Sequence, residues 1–359
     1  MMKGKGDSIL VTGGAGFVGS NLADALLSAG EKVIVADNFS REGVRMNAAW
    51  LKRRHGERVR VETADVRDAA RMQALVRGCR QVFHLAAQVA VTTSLEDPRA
   101  DLETNVLGTF NVLEAARSMD TPPALLFTST NKVYGGMDDV PVVLDGDRYV
   151  YEDGRPGIGE DARLDFHSPY GCSKGAADQY VHDYARIYGL PAVVFRMSCI
   201  YGTRQFGTED QGWVAHFGRA MLRGEPLTIY GDGCQVRDIL WIDDLVRAMR
   251  LAMEKIDTVA GEVFNVGGGA RNAVSVAGVI ERLRDITGVD VPITRADWRP
   301  GDQKIYVSDT AHAERVLGWK PETSWQAGLE KLAGWLHEAN LDTPAPAARA
   351  RVAGPALVG

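Results

Sequence analysis

Apolar positions come in short runs at the start of the chain, and a helical alternation follows each run. Ser8 to Thr12 (Ser-Ile-Leu-Val-Thr) is a run of β-formers, and after a glycine turn apolar residues recur at helical spacing through Leu27. A second run, Lys32 to Ala36, stops at Asp37. The rhythm predicts further strands around Arg58 to Glu62, Gln81 to Leu85 and Ala124 to Thr128, with helices around Ala69 to Val76 and from about Arg99 to Arg117. A helix opening after Pro169 runs to Tyr188, and Pro191 to Arg196 makes one more strand. Repeated βα units of this kind predict an α/β fold, a Rossmann-type doubly wound parallel sheet.

Beyond that strand the rhythm breaks. Gly, Trp and Gln gather between 202 and 213, and Leu227 to Tyr230 precedes a Gly-Asp-Gly turn at 231 to 233. We expect a smaller interleaved α/β lobe there. The division is then 1–198 for a mainly nucleotide-binding domain and 199–339 for a mainly substrate-binding lobe with some return to the first sheet. From Asn340 the chain is rich in Ala and Pro without periodicity, so 340–359 is expected to be a disordered tail.

Composition narrows the function classes. The 359 residues carry a formal net charge of -6 with no long Lys/Arg block, which argues against nucleic acid or an anionic membrane as the main partner. A small anionic ligand needs only a local basic pocket. Cys79, Cys172, Cys199 and Cys234 are scattered, without the short paired spacings of a zinc site or the density of a disulfide framework. Reduced, cytoplasmic thiols and no metal are the expectation. No apolar run reaches the length of a membrane span, and no apolar stretch of an export signal follows the first lysines.

The turn after the first strand reads Gly13-Gly14-Ala15-Gly16-Phe17-Val18-Gly19. Gly13, Gly16 and Gly19 permit a tight turn, close backbone approach to a pyrophosphate and close helix packing; the helix start at Phe17 and Val18 offers unpaired N–H donors. Asp37, with Asn38 beside it, is placed to accept hydrogen bonds from an adenosine ribose, which favours NAD over NADP; Arg41 nearby pulls the other way. Ligands of such sheets lie beyond the carboxyl ends of the strands. Asp65-Val66 are candidates for the adenine, Leu85, Ala86, Ala87 and Gln88 for the cofactor flank, and Thr128-Ser129-Thr130 for the reacting carbon. Asp65 serves equally well as a helix N-cap.

Tyr170 and Lys174, four apart, share one helix face. A cation one turn from a phenol favours phenolate, which makes a usable base for a sugar hydroxyl. By themselves the two residues read as an exposed i,i+4 pair, and only the glycine unit and Thr130 give them a chemical meaning.

Together, Gly13-x-x-Gly16-x-x-Gly19, Asp37-Asn38, Ala86-Ala87, Phe127-Thr128-Ser129-Thr130, Val133-Tyr134-Gly135 and Tyr170-x-x-x-Lys174 resemble the extended short-chain dehydrogenase/reductase family that modifies nucleotide sugars. The likeness runs from about Ile9 to Trp335. Longer strings, 129–135, 164–180 and 204–213, resemble its 2-epimerases of CDP-linked 3,6-dideoxyhexoses. The resemblance implies that Tyr170 is the general base and that Lys174 lowers its pKa and binds the nicotinamide ribose. It gives Thr130 the task of orienting the reacting oxygen and adds Asn105 to the NAD contacts. It implies a diphosphate clamp of Arg237 and Arg299, and sugar or base contacts from Asn131, Lys132, Ser198, Gln205, Gln211 and Trp213. Related 4,6-dehydratases carry an Asp-Glu pair where this chain has Asn131-Lys132, which leaves oxidation and re-reduction rather than elimination of water. A homo-oligomer, dimer or tetramer, is implied as well. Two alternatives stay open: a UDP-hexose 4-epimerase, and a non-catalytic NAD-sensing regulator.

Overall fold

Period-two parity along buried strands decides the architecture. In the computed structural model, which describes residues 6–41, 43–299 and 302–340, strand β1 (Ser8–Thr12) buries Ile9 and Val11 in one apolar cluster and Leu10 in another. Successive side chains point to opposite faces, so a run that is apolar throughout needs cover on both. Helices provide it. α1 (Phe17–Ser28) and α2 (Val44–His55) pack with Ile9, Val11, Val33 and Val35; α3 (Ala69–Val76) packs with Leu10 and Ile34 on the other face. Truncating such a residue to Ala costs about 2–5 kcal/mol.

Seven parallel strands form the main sheet, in the order β12-β8-β5-β4-β1-β2-β3. They are β1, β2 (Lys32–Asp37), β3 (Val59–Thr63), β4 (Cys79–His84), β5 (Ala124–Thr130), β8 (Ala192–Met197) and β12 (Val263–Val266). Strand order reverses between β1 and β4, and this is the crevice where α/β sheets hold ligands. Along the chain between β4 and β5 lie α4 (Val91–Glu96), α5 (Pro98–Leu102) and α6 (Gly108–Arg117), and α7 (Ser168–Tyr188) crosses from β5 to β8.

The second half supplies smaller sheets. β9 (Cys199–Tyr201), β11 (Val236–Trp241), β13 (Ala273–Ser275) and β15 (Ile305–Tyr306) form a four-stranded sheet; β10 (Leu227–Tyr230) pairs with β14 (Ile293–Ala296). β6 (Val142–Asp145) and β7 (Arg148–Tyr151) make a hairpin. The remaining helices are α8 (Trp213–Leu222), α9 (Ile242–Glu254), α10 (Ile256–Val259), α11 (Val276–Thr287), α12 (Ala311–Leu317) and α13 (Trp325–Asn340). A third apolar cluster, with Val133, Tyr134, Ile158, Val236 and Tyr306, ties the segment after β5 to the four-stranded sheet.

Several expectations shift. The helix expected from Arg99 to Arg117 is two α segments joined by a π turn at Glu103–Leu107. Helix α2 was not anticipated, because its buried positions 44, 47, 48, 51 and 55 include Asn47 and His55, which hide the apolar stripe. Asn340 belongs to the end of α13 instead of opening a tail, and 341–359 lie outside the described residues. No helix among the described residues is long and apolar enough to cross a membrane.

Candidate active site

The nucleotide end is built from glycines. Gly13 has φ of 65°, and a Cβ there would sit 2.8 Å from the Ala86 amide nitrogen, so only glycine lets the β4 loop close on the turn. A Cβ on Gly19 would meet the Gly13 carbonyl oxygen at 2.3 Å. Gly16 caps α1 without a side-chain bond, and the first turn holds no acidic residue. The amides of Phe17 and Val18 therefore keep the positive character of a bare helix start, which fits a pyrophosphate. Asp37 accepts from the Ala15 and Phe39 amides at 3.1 and 2.9 Å, and burial pushes its pKa up. Arg41 reaches Gln211 Oε1 at 3.4 Å. The residues present fit a dinucleotide with a free 2′-hydroxyl.

Asp65 is not the helix cap: Asp68 caps α3 by accepting from the Arg71 amide. Asp65 instead receives Asn38 Nδ2 at 3.2 Å and three bonds from Arg67, which hold its carboxyl down at about 2. Val66 packs on Gly108. The Leu85 and Ala86 amides donate to Thr12 Oγ1 at 3.2 and 3.3 Å, and the Gln88 amide donates to Asn105 Oδ1 at 2.9 Å. Beneath them His84 bridges the hydroxyls of Thr12 and Thr109, and burial lowers its pKa to about 3.

The reacting end lies where β5 meets α7. Pro169 is tolerated in the first turn of α7, and Ser168 before it takes φ of 64°, an uncommon and strained value for serine. Tyr170 follows at once; its amide donates to Ser94 Oγ at 3.2 Å. Thr130 ends β5, and its hydroxyl lowers the proton affinity of the Tyr170 phenol. Lys174, buried, donates from Nζ to the Thr128 carbonyl at 2.6 Å and lies 4.1 Å from the Phe127 ring centroid. The expected electrostatics do not hold in the protein alone. Burial pushes the phenol of Tyr170 up to about 12, Thr130 and Arg41 oppose that, and burial brings the Lys174 amine down to about 7. Desolvation outweighs the favourable partners because the pair is buried between α7 and β5.

At the substrate end, Asn131 is buried and its Oδ1 accepts from Thr130 Oγ1 at 3.4 Å. Lys132 Nζ lies 3.7 Å from Asp302 Oδ1, and Arg237 Nη2 donates to the same oxygen at 2.6 Å. Arg299 lies 3.9 Å from the Tyr230 ring centroid, donates to the Glu209 carbonyl at 3.3 Å and approaches Asp210 at 3.6 Å. Both arginines thus have acidic partners of their own. Ser198 donates to buried Asp238, whose carboxyl burial raises to about 6 while the amides of Gly269 and Ser308 hold it. Gln205 is buried against Gly212 and donates to the Ile200 carbonyl at 3.3 Å, a packing role alongside its unpartnered Oε1. Trp213 opens α8.

Sequence reasoning missed the frame behind α7. Arg196 clasps Asp178 at 2.9 and 3.0 Å in a buried bidentate pair and donates to the Tyr134 hydroxyl at 3.1 Å. A signal existed: Arg196 lies near the end of an otherwise apolar strand, and Asp178 follows Lys174 by one helical turn.

A Rossmann sheet with this glycine turn, an acid closing β2 and Tyr-x-x-x-Lys beside Thr130 defines an extended short-chain dehydrogenase/reductase. The family model described as GDP-mannose 4,6 dehydratase matches residues 10–332, and the chain belongs to that family. It is 41% identical over 335 residues to CDP-paratose 2-epimerase of Salmonella typhi, covering 91% of this chain and 98% of that one. Among solved structures, UDP-glucose 4-epimerase of Thermotoga maritima with UDP-glucose matches with TM-score 0.79 and 33% identity, over 93% of this chain and 99% of the other. UDP-glucuronic acid 4-epimerase of Bacillus cereus, in complex with UDP-glucuronic acid and NAD, matches with TM-score 0.80 and 29% identity, over 92% and 99%.

Proposed function

We propose that the protein is an NAD-dependent nucleotide-sugar epimerase that inverts C2 of a CDP-linked 3,6-dideoxyhexose, CDP-paratose to CDP-tyvelose in type. The observation that carries the reading is the assembly of Thr130, Tyr170 and Lys174 at the end of β5 with Asn131 and Lys132, not carboxylates, beside them. The similarity to CDP-paratose 2-epimerase over nearly the whole of that protein selects C2 over C4. Bound NAD would supply a reversible hydride acceptor for the sugar carbon. With the positive charges of Lys174 and of bound NAD offsetting the burial that raises its pKa, the Tyr170 phenolate would take the hydroxyl proton as the carbon is oxidised to a 2-keto sugar and give it back on re-reduction, so no proton is consumed. Thr130 aligns the reacting oxygen. Lys174, anchored on the Thr128 carbonyl, binds the nicotinamide ribose and holds positive charge near the phenol. Arg237 and Arg299 hold the diphosphate, which must exchange with Asp302 and Asp210 to do so.

The uncapped helix start and Asp37 support NAD binding, and the 199–339 segment is the part we assign to the sugar nucleotide. We also propose a homo-oligomer, dimer or tetramer: α5 to α7 expose Leu102, Leu107, Phe110, Tyr180, Ile187 and Tyr188 on the surface. Its four free thiols suit the reducing cytoplasm, where we place it.

The test is incubation with CDP-paratose and, separately, UDP-glucose, without added NAD, following the C2 and C4 configurations by NMR. Inversion at C2 of the CDP sugar is expected. Inversion only at C4 of the UDP sugar would replace this reading with a 4-epimerase, and steady NADH accumulation would replace it with a net dehydrogenase.

A further inference from the structure

Asp101 is fully buried on α5, and nothing in the function proposed above uses it. Its Oδ1 accepts from Asn105 Nδ2 at 3.2 Å, while its Oδ2 has no hydrogen-bond partner. Asn105, in the π turn, also donates to Ser173 Oγ at 2.9 Å, and Ser173 donates to the Tyr170 carbonyl at 3.2 Å. The carboxylate is therefore tied, through two side chains, to the turn of α7 that carries both Tyr170 and Lys174. A half-satisfied carboxylate is costly to bury unless a charge compensates it.

Lys174, on the same turn of α7 as Ser173, is the cation that acts on this carboxylate through space. The titratable groups that bear on it and on Tyr170 are Asp178 on the same helix, Asp101 from α5, His84 from β4 and Arg41 from the loop after β2. Asp178 is already clasped by Arg196, and His84 is a neutral imidazole held between two hydroxyls. Arg41 leans to Gln211. Asp101 has no such clasp: its carboxylate is held by the Asn105 amide alone, burial raises its own pKa, and the Lys174 charge opposes that rise.

We propose that Asp101 is a positioning residue for the Tyr170–Lys174 pair, the buried anion that sets the pH range in which the pair works. The proposal rests on the roles given to those two residues above. An anion at this place raises the proton affinity of both partners, the phenol and the amine alike. Removing it moves both in the same direction. A purely structural residue, when altered, lowers activity without translating the profile.

The experiment is the pH profile of kcat/KM for CDP-paratose with the NAD-loaded protein and its Asp101→Asn variant. Both limbs should move to lower pH, by on the order of one unit. A reduced maximum with unmoved limbs overturns the proposal. Asp101→Ser, smaller and uncharged, must give the same displacement if the Asn variant folds poorly. A second readout needs no sugar: competitive acetylation of the full chain with acetic anhydride, with Lys174 labelling quantified by mass spectrometry across pH. Its midpoint should fall in Asp101→Asn, and an unchanged midpoint overturns the proposal whatever the substrate is. A displaced midpoint in a protein inert toward CDP-paratose sinks the substrate assignment and leaves the role of Asp101 standing.

Discussion

At the reacting end, the Lys174 ammonium faces a carbonyl and an aromatic ring, while the nearest carboxylates act on it through space or are engaged elsewhere. At the anion end, Arg237 and Lys132 share the carboxylate of Asp302, and Arg299 is flanked by Glu209 and Asp210. One region buries a cation under tension, and the other keeps its cations internally neutralised. The difference follows from what each must do. The buried pair responds to small changes of charge, because desolvation already holds the phenol high and the amine low. In the clamp proposed above, the arginines stay paired with their acids until a diphosphate displaces them, so an acidic protein would present a cationic pocket without a standing field.

The sharpest way to break the contrast is Tyr170→Phe. Turnover should fall on the order of 10³-fold with bound NAD unchanged, measured by NMR epimerisation and by absorbance of released cofactor; undiminished turnover would remove the tyrosine from the chemistry. Next comes Asp178→Ala, which strands Arg196 in the core and should cost about 3–5 kcal/mol in urea unfolding. A loss near zero would mean that the frame behind α7 does not depend on the pair. Acid probes the same buried region. Because the native pKa of His84 is depressed from 6.5 to about 3, the unfolded chain binds a proton that the native state refuses between those values. Stability should therefore fall as pH drops from 6.5, by about 2 kcal/mol at pH 5, and His84→Gln should flatten that slope in urea melts at pH 7 and 5. The smallest effect belongs to the anion end: Arg237→Lys loses the bidentate fork and should raise KM about tenfold with kcat little changed. A collapse of kcat at constant KM would place Arg237 in the chemistry instead.

Much of this was legible in the sequence, for reasons that can be named. Buried parallel strands read as continuous apolar runs, so β1, β2 and β5 were visible, and the Gly13 turn followed from its position after β1. Bringing Thr130 to Tyr170 needed the sheet, since 40 positions separate them, and only family likeness foretold it. Three features were hidden. The stripe of α2 uses Asn47 and His55, and Asn47 serves as a clamp by donating to the carbonyls of Ala15 and Arg204. The direction of the Tyr170 and Lys174 shifts depends on burial, which spacing does not report. Asp302 gave no local sign that it would hold Lys132 and Arg237 together.

The π turn at Glu103–Leu107 carries a consequence for insertion and deletion. Such a turn holds one residue more than the α turn it replaces, and one residue is about 100° of helical phase. Upstream of it, Asp101 faces the interior; at its last position Leu107, and downstream of it Phe110, face outward. Deleting a single residue from the turn would leave an unbroken helix and still lose the arrangement, because the two faces would rotate past each other. The extra residue sets the phase between the inner network and the outer apolar surface, so this helix tolerates substitution far better than a change of length.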